Sequence, residues 1–274
     1  MKKNIKLFFI VGLIFTYTNF FAFEKIVFEE KNEFNGLTEK YIFHPSDEQF
    51  QQCQNVVASY DDDNKLRKIS YFLSSELQKQ TGFQYQEEFY ENDVLVEYKC
   101  IFSDEEFAKK GIKYRIEKVD NKDNPYMYGL SDGSHSVFFP ADFFVSQYPC
   151  YNLKYLSALF FRDEGAKGNR YVFSKKLSKG ASFVTVSSEI EKLTKHDIDN
   201  IQKISTFFGN EQIAEIYNCK VRVVSAGKEY TAYIQKNFAR GISKNMFCLL
   251  AYCTMGLNEN LYLFATAFIE AEKK

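Results

Sequence analysis

Hydrophobic and polar positions in the first half of the chain recur at a fixed interval. Three turn-forming triplets, Asn35-Gly36-Leu37, Asn64-Lys65-Leu66 and Asp93-Val94-Leu95, set their leucines 29 residues apart. A strand-like run follows each one: Tyr41-Ile42-Phe43, Ile69-Ser70-Tyr71-Phe72-Leu73 and Tyr98-Lys99-Cys100-Ile101-Phe102. Each run stops at a polar break, Ser46-Asp47-Glu48, Ser74-Ser75-Glu76 or Ser103-Asp104-Glu105, after which comes an apolar residue, Phe50, Leu77 or Phe107. Gly82 and Gly111 close the last two units. Within the third unit Val94, Val96, Tyr98, Cys100 and Phe102 share one face at period two, and Glu97 and Lys99 take the other. Asn and Asp tolerate the left-handed backbone of a tight turn. Such turns at equal spacing predict repeated β-hairpins laid side by side as an antiparallel meander.

Residues 120–161 break this rhythm. Pro125, Pro140 and Pro149 stand among Tyr126, Tyr128, Phe138, Phe139, Phe143, Phe144, Tyr148 and Tyr151. Proline interrupts strand ladders, so this segment reads as a boundary or an irregular loop, with Pro140 opening a short helix through Val145. Its aromatic side chains, Phe138, Phe139, Phe143, Phe144 and Tyr148, either line an apolar ligand pocket or plug one end of the core. Further on, a hairpin is expected between Leu159–Arg162 and Arg170–Ser174 around the Gly165/Gly168 loop.

The last third predicts one helix and two hairpins. Thr194-Lys195-His196-Asp197 forms a capping box; Ile198, Ile201, Ile204 and Phe208 follow at helical spacing, and Gly209 ends the run. Gly227-Lys228 reads as a two-residue hairpin loop, which pairs Val223 with Ala232 and Val221 with Ile234. Met246–Met255 and Leu261–Ile269 form the second hairpin; both runs are apolar on both faces and so belong in a sheet centre.

In Tyr60-Asp61-Asp62-Asp63-Asn64-Lys65-Leu66 and Phe89-Tyr90-Glu91-Asn92-Asp93-Val94-Leu95, residues 26–119 resemble the MORN-like and YD-type hairpin repeats of secreted bacterial proteins. The glycine those families carry before the leucine is kept only as Gly36; Lys65 and Val94 stand in its place elsewhere. The resemblance implies scaffolding or adhesion and brings no catalytic residues.

The amino terminus adds an address. Lys2, Lys3 and Lys6 precede an apolar run from Leu7 to Tyr17, with Ala22 shortly after, the layout of a secretory signal peptide over residues 1–22. Cleavage after Ala22 competes with cleavage after Thr18, and an uncleaved leader is short of the roughly 20 residues that span a bilayer. Export places the chain in the periplasm or outside the cell. Removing the leader's three lysines takes the net charge from -1 to -4, which gives no electrostatic footprint for nucleic acid, and a membrane is met only through the leader if it stays uncleaved.

Chemistry is sparse. The six cysteines contain no Cys-x-x-Cys pair; Cys219 and Cys248, both in apolar runs, are candidates for a disulfide or for buried thiols. His196 heads the helix and His44 precedes Pro45 at a strand end. His135 shares Asp132-Gly133-Ser134-His135 with an aspartate and a serine, which would suit acyl transfer only if distant segments completed the geometry. The run Asp61-Asp62-Asp63-Asn64 lacks the spacing of a calcium loop and reads as a turn. Neither a metal nor a cofactor is indicated.

The expected fold is β-dominated α+β: an antiparallel meander of repeated hairpins over 23–150, then a smaller, barrel-like α+β part over 151–274. The leading function is a non-catalytic envelope or extracellular scaffold that binds an unidentified protein. The alternatives are a carrier of lipid or another apolar ligand and a hydrolase using His135.

Overall fold

The computed structural model describes residues 26–42, 53–162, 178–208, 212–257 and 260–273. It is mostly β, as the alternation demands. A ten-stranded antiparallel sheet takes its first nine strands in chain order, as a meander: β1 (Ile26–Lys31), β2 (Thr38–Ile42), β3 (Cys53–Tyr60), β4 (Leu66–Leu73), β5 (Phe83–Glu91), β6 (Val94–Phe102), β7 (Tyr114–Val119), β8 (Pro125–Ser131) and β9 (His135–Pro140). A two-residue strand, here β16 (Glu272–Lys273), pairs with β9. By compactness the chain divides into two units, one reaching Ile101 and including Lys118–Asn124, the other made of Phe102–Glu117 and the chain from Pro125 onward.

The second and third repeats are each a hairpin followed by a short helix. Helix α1 (Ser75–Thr81) follows β4 and α2 (Asp104–Lys110) follows β6. The polar breaks at Ser74 and Ser103 are N-caps: their hydroxyls accept the Leu77 and Glu106 amides, both at 3.3 Å. Gly82 and Gly111, at φ of 78° and 68°, end the two helices in the left-handed region and donate to Gln78 and Phe107 at 2.7 Å. Ser46 and Phe50, the first copy of this break, lie outside the described residues.

The hairpin turns repeat as well. Asp61 Oδ1 accepts the amides of Asp63 and Lys65 at 3.0 and 2.9 Å, and Asn64 takes φ of 58°. Asp120 repeats this with Lys122 and Asn124 at 2.8 and 2.9 Å, and Asp123 takes φ of 60°. Between them Asn92 and Asp93, at φ of 51° and 61°, make a two-residue turn of the mirror-image kind that suits strand twist. Leu37, Leu66 and Leu95 are all half-buried at strand entrances.

Residues 120–161 are therefore regular rather than an irregular loop, although the two units do divide within them, between Asn124 and Pro125. Pro125 opens β8 and Pro140 closes β9, end positions where the ladder tolerates the missing N–H. A 3-10 turn at Phe144–Gln147 follows. Leu159–Arg162 likewise forms no strand; it ends helix α3 (Leu153–Arg162). Asn152 starts that helix by accepting the Lys154 amide at 3.0 Å, and Leu153 and Leu156 bury one helical face. Arg170–Ser174 lies outside the described residues.

In the second unit β10 (Ser178–Val186), β12 (Cys219–Ser225), β13 (Lys228–Ile234), β14 (Phe247–Leu257) and β15 (Asn260–Glu270) close into a mixed five-stranded barrel. Strand β10 pairs with β14 along its length and with β12 at Thr185 and Val186, and the one parallel pair joins β13 to β15. A short strand, β11 (Glu191–Lys192), adds to the outside of β12. Val184, Val223, Ile234, Leu250, Tyr252 and Leu263 fill the interior with Leu153 and Leu156 from α3. Gly180 makes room for Tyr252, since a Cβ there would sit 3.0 Å from that ring. Helix α4 (Lys195–Phe208) and α5 (Gln212–Ile216) follow β11, and Ile201, Ile204 and Ile213 pack on Tyr233, Tyr262 and Phe264 of the barrel wall. Gly209, the expected stop of this helix, lies outside the described residues.

The first C-terminal hairpin turns at Ala226-Gly227, both at positive φ, one residue before the expected Gly227-Lys228. Val223 thus faces Tyr230, and Val221 faces Ala232. A turn displaced by one residue moves each partner by two, so every side chain keeps its expected face. Strands β14 and β15 are buried on both sides as their composition requires. Among the described residues no helix is long and apolar enough to cross a membrane.

Gly111→Ala tests the helix stop. The added Cβ would meet only Asn152 atoms at 3.7–3.8 Å, so the cost is the left-handed backbone, about 1 kcal/mol. Urea unfolding should show that loss with an unchanged slope.

Candidate functional site

The His135 loop is a well-tied hairpin turn. Asp132 Oδ1 accepts the amides of Ser134 and His135 at 2.8 and 2.7 Å, and the Ser131 hydroxyl donates to the His135 carbonyl at 2.6 Å. The imidazole Nδ1 lies 3.4 Å from Asp132 Oδ2, and the ring rests on Phe247 with centroids 4.1 Å apart. The aspartate orients the histidine, but among the described residues no serine or acid from another segment joins them. His196 is exposed and bonds Asn200 one turn on, at 2.9 Å; His44 and the Gly165/Gly168 loop lie outside the described residues.

The five aromatic candidates separate. Successive strand residues face opposite ways, so Phe138, 40 % exposed, covers Gly129, while Phe139, 4 % exposed, turns inward. Phe139, Phe143, Phe144 and Tyr148 form a line of touching rings with centroid separations of 5.9, 4.5 and 5.5 Å. Lys179 Nζ stands 5.6 Å above the Tyr148 ring at its end. Cys219 and Cys248 are unbonded, as are the other four cysteines, and they occupy β12 and β14, strands that are not neighbours. The Asp61–Asn64 run is the turn described above, and among the described residues no cluster of three side chains could hold a metal ion.

The densest polar chemistry lies on β4, β5 and β6, where no motif marked it. Glu87 and Glu88 are adjacent, so one points to each face of the sheet. Glu87 faces Ser70 across the ladder and gathers Lys68 Nζ at 3.0 Å, Lys99 Nζ at 3.4 Å and the Ser70 hydroxyl at 3.4 Å. On the same face Phe72 stacks on Tyr85 at 5.4 Å, and Lys99 sits 5.9 Å from the Phe89 ring. Strand register carries the face on to β2, where the Tyr41 hydroxyl donates to Glu30 and Glu39 at 2.9 and 3.2 Å. Burial and those two carboxylates push the Tyr41 phenol up to about 12.

Glu88 points to the opposite, apolar face and is 2 % exposed. Val56, Ala58, Ile69, Tyr71 and Leu73 form the buried cluster there. Its Oε2 accepts both the Tyr71 hydroxyl, at 3.0 Å, and the Tyr90 hydroxyl, at 2.6 Å. Burial lifts its carboxyl to about 7, outweighing the two phenols, which favour the ionised form; Asp123 adds to the rise. No sequence signal pointed to it: alternation in Phe83-Gln84-Tyr85-Gln86-Glu87-Glu88-Phe89 puts Gln86 and Glu88 on the polar side.

A second buried acid works differently. Asp197 closes the capping box, accepting the Thr194 amide at 2.7 Å, while Thr194 Oγ1 accepts the Asp197 amide at 3.2 Å. It also receives Lys220 Nζ at 2.8 Å and the Tyr233 hydroxyl at 3.1 Å, which ties α4 to the barrel wall. Burial raises its carboxyl, but Lys220 and Thr194 prevail and hold it at about 2. Asp197 thus occupies the inward position, and the neighbouring Ile198 of the expected stripe is left exposed.

Because its folded pKa is depressed, Asp197 contributes stability above about pH 4, the unfolded value, that disappears as pH falls toward 2. Asp197→Asn should cost roughly 2 kcal/mol at pH 7 and little near pH 2. Urea titrations at the two pH values measure the difference.

No family model, no curated protein and no solved structure matches this chain.

Proposed function

We propose that the chain is an exported, non-catalytic scaffold that binds a protein partner across the ionic and aromatic face of its hairpin sheet. One observation carries this reading: Lys68, Glu87 and Lys99 cross three neighbouring strands as an ion-pair rung, flanked by Phe72, Tyr85 and Phe89. Charges held in place by their neighbours and aromatic rings fixed on strands offer a partner specificity with little side-chain ordering to lose. The export half of the proposal rests on the basic and apolar leader, which would deliver the chain to the periplasm or beyond.

The two rival readings have less behind them. A carrier needs a dry cavity, and the barrel interior is occupied by Val223, Ile234, Leu250, Tyr252 and Leu263. The ring line from Phe139 to Tyr148 is the one feature that favours a carrier. A hydrolase needs a nucleophile and an oxyanion site aimed at His135, whose partners are Asp132 of its own turn and the Phe247 ring.

Site-specific photo-cross-linking in cells that produce the protein tests the scaffold. A photoreactive aromatic residue at Phe72 or Phe89 should give a discrete protein adduct, and one at Lys228, in the barrel hairpin, should not. Equal adducts from all three positions, or none, would sink the reading; a lipid adduct from Phe144 would favour the carrier.

A further inference from the structure

We propose that Tyr71, Glu88 and Tyr90 form a proton-operated latch that keeps the β4–β5 ladder closed while Glu88 carries its proton and loosens it once the proton leaves. The geometry is that of a carboxyl buried to 2 % exposure with phenols as its hydrogen-bond partners. Both phenols donate to the same oxygen, Oε2, at 3.0 and 2.6 Å. Oε2 has two lone pairs to receive them whether or not the carboxyl carries its proton, so burial decides the charge. Glu87, one residue earlier, shows the contrast: it meets two lysines on the other face.

Among the described residues, none of the groups that act on Glu88 is a cation. Tyr71 stands diagonally across the ladder on β4, Tyr90 is two residues along β5 itself, and Asp123 acts from the β7–β8 turn. The groups that act in turn on the two tyrosines are Cys53 of β3 and Tyr98 of β6, besides Asp123. None of these side chains is cationic, and Val56, Ala58, Ile69 and Leu73 make the face apolar. A carboxylate formed there has to be hydrated, because burying an unpaired charge is far costlier than burying the acid. Tyr90 is half-buried and Tyr71 is buried, so water enters from the Tyr90 end.

The sign follows from the direction of the shift. Glu88 has a folded value near 7 against an ordinary 4.5, so its contribution to stability is complete below the ordinary value. It is lost as pH rises through 7, and the unfolding constant should rise about 30-fold between pH 5.5 and 8.5 from this group alone.

The experiment compares the full chain with its Glu88→Gln form by urea unfolding across that pH range, with hydrogen exchange of the β5 peptide corrected for intrinsic rate. The wild type should lose stability and β5 protection as pH rises, and the glutamine form should lose neither beyond a background slope. Equal slopes in the two proteins would overturn the latch. If Glu88→Gln does not fold, Tyr90→Phe takes its place. Removing a hydroxyl that favours the carboxylate should move the transition to higher pH, and an unmoved or lowered transition would equally overturn the proposal.

Discussion

Left-handed turn residues hold the sheet in register, and everything distinctive about it depends on that register. Asn64, Asp93 and Asp123 each accept a backbone conformation that most residues avoid, and Asp61 and Asp120 fasten the turns around two of them. A slip of one residue would exchange the faces of a strand. Glu87 would then leave its lysines for the apolar cluster, and Glu88 would leave its tyrosines for the ionic face. The turns thus decide which acid is paired and which is kept neutral, although they touch neither.

The two buried acids show how environment sets chemical character. Asp197 meets an ammonium, a backbone amide and two hydroxyls, and stays ionised far into acid. Glu88 meets two phenols and aliphatic side chains, and retains its proton up to neutrality. Ion pairing makes the first a fixed strut between a helix and a barrel. Desolvation without a cation makes the second responsive.

Features written over a few neighbouring residues were legible from the sequence. The period-two alternation, the Asn/Asp turns, the Thr194–Asp197 capping box and the doubly apolar β14 and β15 all appear where the pattern puts them. Helices α1 and α2 went unread because seven residues are too few to show an apolar stripe; a serine and a glycine at their ends were the whole signal. The strands beside Pro125 and Pro140 went unread because proline forbids only a strand's hydrogen-bonding interior, not its ends. The β12–β13 turn was displaced because Gly227 could open or close a two-residue loop. The Glu88 cluster was the least visible, since it depends on Tyr71, seventeen residues away in the chain. An acidic residue in a strand reads as solvent-facing until its cross-strand partners are known.

Barrel closure by one parallel pair has a consequence for synthesis. Strand β15 lies between β14 and β13, and joins β13 through Ala232–Leu263 and Tyr233–Phe264. While the ribosome is still making the residues before Asn260, β13 has an open side, and Ile234 and Leu250 have no roof. Nascent chains stalled before that point should therefore be a natural substrate for holding chaperones, and release from them should coincide with the arrival of β15.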